Sequence, residues 1–400
     1  MKILHVAQAA GGVDRYLQML LPRLYAHGFH QLLLCSQDYK RADYEECVDE
    51  FIQVKMGQSL KPQAILKCVM AVRTAIRQFK PDIVYCHSSL AGGFGRIACI
   101  GTNVKVIYNP HGWAFDMKGS RLKRLVYVTL ERLLAHVTDK FVLISNAEKL
   151  SAVVNHVAPF TKLKVIFNGI DFTKLQQELN NGVGIRAELG ISKDAYVIGM
   201  VGRISKQKAP DVFVQMAAEV VKRIPSAEFI IVGDGDMKPQ ILEQSARLGI
   251  SARLHITGWV DCPAKYLSVM DCAVLLSRWE GFGLVIAEYM YAQKPIVATC
   301  VDAIPDLVTN NVNGLLVDID NAVAAAAAVI KLYEDKKLRI RLVENAYNKV
   351  VACYNVDRVA VEHIDMMCKL IKVKSGGVNN ALQIKNVTLL FHLNERRVAA

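Results

Sequence analysis

Short apolar runs of strand length, each followed by a helical period, recur along almost the whole chain. Lys2–Ala7 reads as a strand, followed by Gly11-Gly12 and a helical pattern from Val13 to about His27. Gln31–Cys35, Asp82–His87, Val104–Asn109, Lys140–Ile144 and Leu163–Phe167 repeat the strand signal, with helical segments such as Gln63–Phe79 between them. Continuous apolar runs alternating with helices indicate parallel sheets covered on both faces. Asp171–Gly184 is polar and glycine-containing, which suits a linker. The alternation then restarts, with strands expected at Tyr196–Val201, Glu228–Val232, Arg253–Thr257, Cys272–Leu276, Pro295–Ala298 and Gly314–Val317. Helices are expected at Val212–Arg223, Met237–Leu248, Leu284–Ala292, Asn321–Tyr333, Arg339–Tyr354 and Val356–Lys372. The reading is an α/β chain of two doubly wound domains, 1–175 and 185–355, facing a central cleft. A helix at 356–372 has the reach to cross back to the first domain, and 373–400 is an appended tail in which Val387–Leu393 has strand character. In such folds ligands bind at the carboxyl ends of strands, so motifs of interest should fall just after them.

Composition narrows the class. With 52% hydrophobic and 22% charged residues over 400 positions, the chain has enough apolar material for two cores. No apolar run approaches the ~18 residues of a membrane span. The short run after Lys2 ends at Gly11, so a signal peptide is not expected. Ten cysteines form neither a Cys-x-x-Cys pair nor a Cys/His cluster at zinc spacing, which fits reduced thiols in the cytoplasm.

Charge is uneven. Residues 1–170 carry 22 Lys+Arg against 12 Asp+Glu, while 171–400 carry 27 against 25. An excess confined to one half points to an anionic partner for that half. It concentrates in Lys118–Leu134, where Lys118, Arg121, Lys123 and Arg124 precede an apolar face of Leu122, Leu125, Val126, Leu130 and Leu133. Cations at a helix start oppose its macrodipole, so packing propensity does not explain them. A helix lying on an anionic membrane surface does; an ordinary core helix with a solvated basic end is the alternative. Nucleic acid is not the expected partner, because no recognition helix or aromatic-basic interleave is present.

Three post-strand loops carry chemistry. Gly11-Gly12 permits close backbone approach ahead of a helix start, which can hold an anion. Arg203 and Lys208 share one loop and can clamp a diphosphate, arginine as a planar fork and lysine as a point charge. Glu280 and Glu288 flank Gly281, Phe282, Gly283 and Leu284, offering acceptors for sugar hydroxyls around a helix start. Glu288 lies on an otherwise apolar helix and needs a partner there.

Taken in order, these motifs resemble the retaining glycosyltransferases of family 4, which have the GT-B fold of two Rossmann-like domains. The resemblance also rests on Asn109-Pro-His111-Gly112, Asn168-Gly169-Ile170-Asp171, Ile231-Val-Gly-Asp234-Gly, Thr257-Gly-Trp-Val260 and Asn313-Gly-Leu-Leu-Val317, and it covers about residues 2–370. It implies that Arg203 and Lys208 bind the diphosphate of a nucleotide-sugar, that Glu288 binds the ribose and that Val260 meets the base through its backbone. It implies that Glu280 and the backbone of Gly281–Gly283 hold the donor sugar, with His111 near the reacting carbon and Gly12 approaching the phosphates from the other domain.

No divalent-metal cluster is visible, so metal ions and other cofactors are not expected and the cations would take a metal's place. The expected partners are a UDP- or GDP-sugar, a glycan acceptor, whose linkage to a polyprenyl lipid is implied by the resemblance, and an anionic membrane surface at the inner face of the plasma membrane. The family's glycine-rich loop reads Val301-Asp302-Ala303-Ile304-Pro305-Asp306 here; Asp306 keeps the carboxylate but the glycines are missing. A nucleotide-sugar 2-epimerase on a related two-domain fold is the alternative activity.

Overall fold

A computed structural model describes residues 1–8, 11–56, 62–117 and 120–372. The expected tail with its Val387–Leu393 strand, and Lys118, lie outside them. The first sheet comprises β1 (Lys2–Ala7), β2 (His30–Cys35), β3 (Glu50–Gln53), β4 (Ile83–His87), β5 (Lys105–Asn109), β6 (Lys140–Leu143) and β7 (Leu163–Val165). The second comprises β8 (Tyr196–Val201), β9 (Ala227–Val232), β10 (Leu254–Ile256), β11 (Cys272–Leu275), β12 (Ile296–Thr299) and β13 (Leu315–Val317). Around the first lie α1 (Gly12–Ala26), α2 (Pro62–Phe79), α3 (Ser89–Ala98), α4 (Arg121–Leu134) and α5 (Asn146–Val154). Then come α6 (Phe172–Asn180), α7 (Ile185–Glu188), α8 (Pro210–Val221), α9 (Lys238–Arg247), α10 (Leu284–Tyr291) and α11 (Ile304–Leu307). The chain continues through α12 (Ala322–Glu334), α13 (Lys336–Cys353) and α14 (Val356–Lys372).

The strand orders are β3-β2-β1-β4-β5-β6-β7 and β10-β9-β8-β11-β12-β13, and the paired strands are parallel. Each order reverses direction once, beside β1 in the first sheet and beside β8 in the second. Loops leaving these reversal points diverge and leave a crevice. The Gly11 loop leaves β1, the Arg203–Lys208 loop leaves β8, and the Glu280 loop leaves β11.

One expectation is corrected, and one of the two readings of Lys118–Leu134 is removed. Asp171–Gly184 is not an open linker. Asp171 accepts a hydrogen bond from the Lys174 N–H at 3.0 Å and caps α6, and Leu175 is buried in the second domain's core. One apolar stripe in a polar segment was enough to dock a helix. Nor is α4 a core helix on its leucine face. Leu122 and Leu133 are 71% and 62% exposed, and Leu125, Val126 and Leu130 are exposed with them. The inward face presents Val128 and Glu131, and Glu131 holds the buried Arg96 guanidinium at 2.8 Å.

After α13 the chain returns to the first domain. α14 buries Val359, Ala360, Met366 and Met367 in one core with Leu17, Leu20 and Leu24 of α1. The two passes of chain between the domains touch: Ile170 N–H donates to the Tyr354 carbonyl at 2.8 Å and Val356 N–H to the Ile170 carbonyl at 3.1 Å. A Cβ on Gly169 would lie 2.7 Å from Val356 Cα, so only glycine fits this crossing.

Candidate active site

In the second domain, Lys208 folds back beside Gly202 and forms an ion pair with Glu280. Glu280 is buried; the Ser277 hydroxyl donates to the same carboxylate oxygen at 2.8 Å. Arg203 is exposed, and its guanidinium makes no ion pair among the described residues. Of the two cations singled out in this loop, Lys208 is thus engaged and Arg203 is without an ion pair among the described residues. Gly283 precedes α10 with φ +84°, a left-handed conformation that favours glycine, and a Cβ there would sit 2.8 Å from Ile304 Cδ1. This turn aims the start of α10, with Leu284 first, along the cleft wall. Phe282 is not a ligand by its side chain. Its ring packs in the core, 5.8 Å from that of Tyr354, which leaves only its backbone for binding. Val260 is half-buried against the same core, beside Trp259, which is exposed.

Glu288 lies one turn into α10 and is only 2% exposed. Its partner is Arg15 on α1, in the other domain. Sequence reasoning missed Arg15; the signal was its place one turn after Gly11-Gly12. Gly11 itself has φ +92° and caps α1, and open space surrounds the Cα of Gly12.

His111 follows β5, with its backbone N–H donating to Asn109 Oδ1 at 3.1 Å. A Cβ on Gly281 would lie 3.7 Å from the His111 carbonyl, so these loops of the two domains are one small side chain apart. Asp306 makes a third meeting point, accepting from the Asn146 backbone N–H at 2.7 Å and its side-chain amide at 3.1 Å. The carboxylate beside the Glu280 loop is Asp302 instead, which accepts the Glu280 N–H at 2.9 Å. Asp302 has φ +44°. Aspartate tolerates this left-handed region better than most residues, so it fills a position where glycine was missing from the sequence.

Behind His111 lies a buried glutamate that sequence reasoning also missed. Glu148 accepts the N–H groups of Gly112 at 2.6 Å and Ile144 at 2.7 Å, which braces the His111 loop. Burial pushes its carboxyl up to about 7. The visible signal was Ser145-Asn-Ala-Glu148, a helix-capping pattern, and Ser145 does cap α5. Burial holds the His111 ring down at about 3, so it is neutral at pH 7. Its Nε2 lies 3.3 Å from Nδ1 of His87, and His87 Nε2 lies 3.3 Å from Nδ1 of His5. Among the described residues no cluster of three His, Cys, Asp or Glu is arranged to hold a metal ion.

The structure therefore gathers Gly11, Gly12, His111, Arg203, Lys208, Glu280, Gly281, Gly283, Leu284 and Glu288 along the facing loops of one interdomain cleft. Known proteins match both halves. The family described as Glycosyltransferase Family 4 matches residues 10–174, and that described as Glycosyl transferases group 1 matches residues 184–349. The chain is 29% identical over 377 residues to an Escherichia coli UDP-Gal:alpha-D-GlcNAc-diphosphoundecaprenol alpha-1,3-galactosyltransferase, covering 92% of this chain and 97% of that one. Its fold is similar to that of an Anabaena HepE protein in complex with UDP (TM-score 0.78, 21% identity, 92% of this chain and all of that one). A sucrose-phosphate synthase from Thermosynechococcus elongatus is similar in fold too (TM-score 0.79, 20% identity, 93% of this chain and all of that one). With both domains matched in sequence and their arrangement matched in fold, the chain belongs to the family 4 type of glycosyltransferases with the GT-B fold.

Proposed function

We propose that this glycosyltransferase moves a hexosyl or N-acetylhexosaminyl group, with retention, from a nucleotide-sugar to a polyprenyl-linked glycan in bacterial surface polysaccharide synthesis. The observation that carries the reading is the pairing of a free Arg203 with the Lys208–Glu280 ion pair where β8 and β11 open, opposite His111. A UDP-sugar is preferred over a GDP-sugar, in keeping with the UDP-Gal of the Escherichia coli relative and the UDP bound to the Anabaena protein. Arg203 and Lys208 neutralise the charge that develops as the bond from the anomeric carbon to phosphate breaks. Glu280 turns from Lys208 to the donor sugar's hydroxyls, and Glu288 exchanges Arg15 for the ribose. The acceptor oxygen attacks from the face the phosphate leaves, and its proton passes to a phosphate oxygen. His111 lies beside the reacting carbon.

The same reading places the enzyme on the cytoplasmic face of an anionic bilayer. Among the described residues no helix is long and apolar enough to cross a membrane. The outward leucines of α4 continue into Leu150, Val154 and Phe160, all exposed, and Arg121, Lys123, Arg124 and Lys149 surround them. Apolar side chains rimmed by cations suit insertion among acidic headgroups.

Calorimetric titration with UDP tests the donor site. Arg203→Ala and Glu288→Ala should each weaken binding by roughly 10-fold or more, as expected for charge-assisted hydrogen bonds worth ~1.5–3 kcal/mol. Wild-type affinity in both would put the donor elsewhere, and epimerised donor without transfer would favour the epimerase. Because the cations stand where a metal would, transfer should survive EDTA; activity lost on chelation and restored by Mg²⁺ or Mn²⁺ contradicts that part.

A further inference from the structure

A line of polar side chains crosses β2, β1 and β4 of the first sheet, one per strand, and ends at His111 in the loop after β5. Gln31 of β2 is in register with Ile3 of β1, and His5 stands two residues beyond Ile3. His5 is in register with Tyr85 of β4, and His87 stands two beyond Tyr85. His87 is in register with Asn109 of β5, and His111 stands two beyond Asn109. Side chains two apart on a strand share a face, so the steps from Gln31 to His5 and from His5 to His87 each move one strand across and one pleat along, while His111 is reached in the loop just after β5. The contacts are continuous: Gln31 Oε1 to His5 Nε2 is 3.1 Å, and His5 to His87 and His87 to His111 are each 3.3 Å.

The far end has a fixed polarity. The Gln31 amide nitrogen donates to two backbone carbonyls, Leu21 at 2.9 Å and Cys47 at 2.7 Å. Turning the amide over would set its oxygen against both carbonyls. The oxygen therefore faces His5, and His5 must carry its proton on Nε2. Burial holds His5 at about 3 and keeps His87 well below its ordinary value, so each ring has one proton. With Nε2 protonated, His5 Nδ1 is an acceptor and His87 must donate from Nε2. By the same step His111 must donate from Nε2 to His87 Nδ1. This leaves the lone pair of His111 on Nδ1, which has no hydrogen-bond partner among the described residues.

We infer that Gln31 is a positioning residue for glycosyl transfer: through His5 and His87 it fixes the tautomer of His111, so that His111 meets the reacting sugar as an acceptor at Nδ1. This rests on the placing of His111 beside the reacting carbon. Gln31 itself is fully buried and three side chains away from the cleft's histidine.

Histidine tautomers are read directly by ¹⁵N-histidine NMR through two-bond couplings to the ring protons, with assignment by single replacements. In wild type at pH 7.5, His5, His87 and His111 should all be neutral with the proton on Nε2. Gln31→Leu removes the anchoring oxygen and should bring Nδ1–H forms into all three rings. Transfer kcat should fall about 10-fold or more in Gln31→Leu, with UDP affinity within about 2-fold of wild type. Unchanged tautomers in Gln31→Leu overturn the relay and leave His111's place in the reaction standing. Shifted tautomers with unchanged kcat overturn the positioning role together with that place. Should Gln31→Leu fail to fold, an Nδ1–H form at any of the three rings in wild type overturns the inference by itself.

Discussion

Asp302 has a backbone that costs most side chains about 1–2 kcal/mol, and its carboxylate holds the Glu280 N–H in return. Two substitutions separate these effects. Asp302→Asn keeps both a side-chain oxygen and a tolerance for positive φ, and its melting temperature should stay near wild type. Asp302→Ala loses both, at about 2 kcal/mol, which lowers Tm by several degrees in a domain of this size. Its kcat should fall as well, because Glu280 would lose the backbone anchor that aims it. Equal melting of the two variants would show that the loop is held by other contacts. Arg15 shows what a single sequence hides at this scale. Nothing in Val13-Asp-Arg-Tyr says that the arginine spans the cleft to a glutamate 273 positions away. The cations that stayed next to strand ends were legible, because their place in the fold follows from local order alone.

Helix α4 has its conventional packing reversed, and its two faces predict opposite mutational outcomes. Replacing Leu122, Leu125, Leu130 and Leu133 by glutamine removes side chains that already face water, so stability should change by no more than about 1 kcal/mol. Vesicle binding should nevertheless be lost. Reversing Arg121, Lys123 and Arg124 to Glu should do the same on vesicles containing phosphatidylglycerol, with wild-type binding fading as added salt shortens the Debye length below its physiological value of about 8 Å. Equal sedimentation of wild type and both variants would remove the bilayer from the proposal. On the inner face, Glu131→Ala leaves the buried Arg96 guanidinium without its carboxylate, and breaking such a pair costs about 3–5 kcal/mol. Periodicity revealed that α4 has an apolar face but not which side of it meets solvent; that depended on Arg96, a residue 35 positions away. The sheets were far more legible, since a strand covered on both faces carries its burial in its own composition. β3 escaped notice because it is four residues long and pairs only with β2, at the sheet's edge.

At the scale of the molecule, buried histidines make folding sensitive to acid. Burial depresses His5 and His111 to about 3, His363 to about 4 and His87 well below its ordinary value of 6.5. Each binds a proton more readily unfolded, so its contribution is complete above pH 6.5 and is lost as pH falls toward its folded value. Each such group costs up to about 1.4 kcal/mol per pH unit while it titrates. Glu148 works the other way: raised to about 7 from 4.5, it favours the folded state more as pH falls between those values, and it cancels about one histidine. The histidines outnumber Glu148, so stability should fall steeply as pH drops below 6.5. Urea midpoints at pH 7.5, 6 and 5 should fall steeply; a flat series would mean that the histidines titrate freely. The first domain also has an unusual assembly order. Its sheet is complete at Val165, yet α14, which covers part of the core it shares with α1, ends at Lys372. At roughly 5–20 residues per second, the ribosome emits those intervening residues over about 10–40 s. During that interval the seat of Val359 and Met367 is bare on an otherwise finished domain. Nascent chains stalled before residue 356 should be cut by protease within the first domain, and chains released after residue 372 should resist. A helix made after the whole second domain thus closes the domain made first, and a chain cut short during synthesis carries the mark of its own incompleteness at its opposite end.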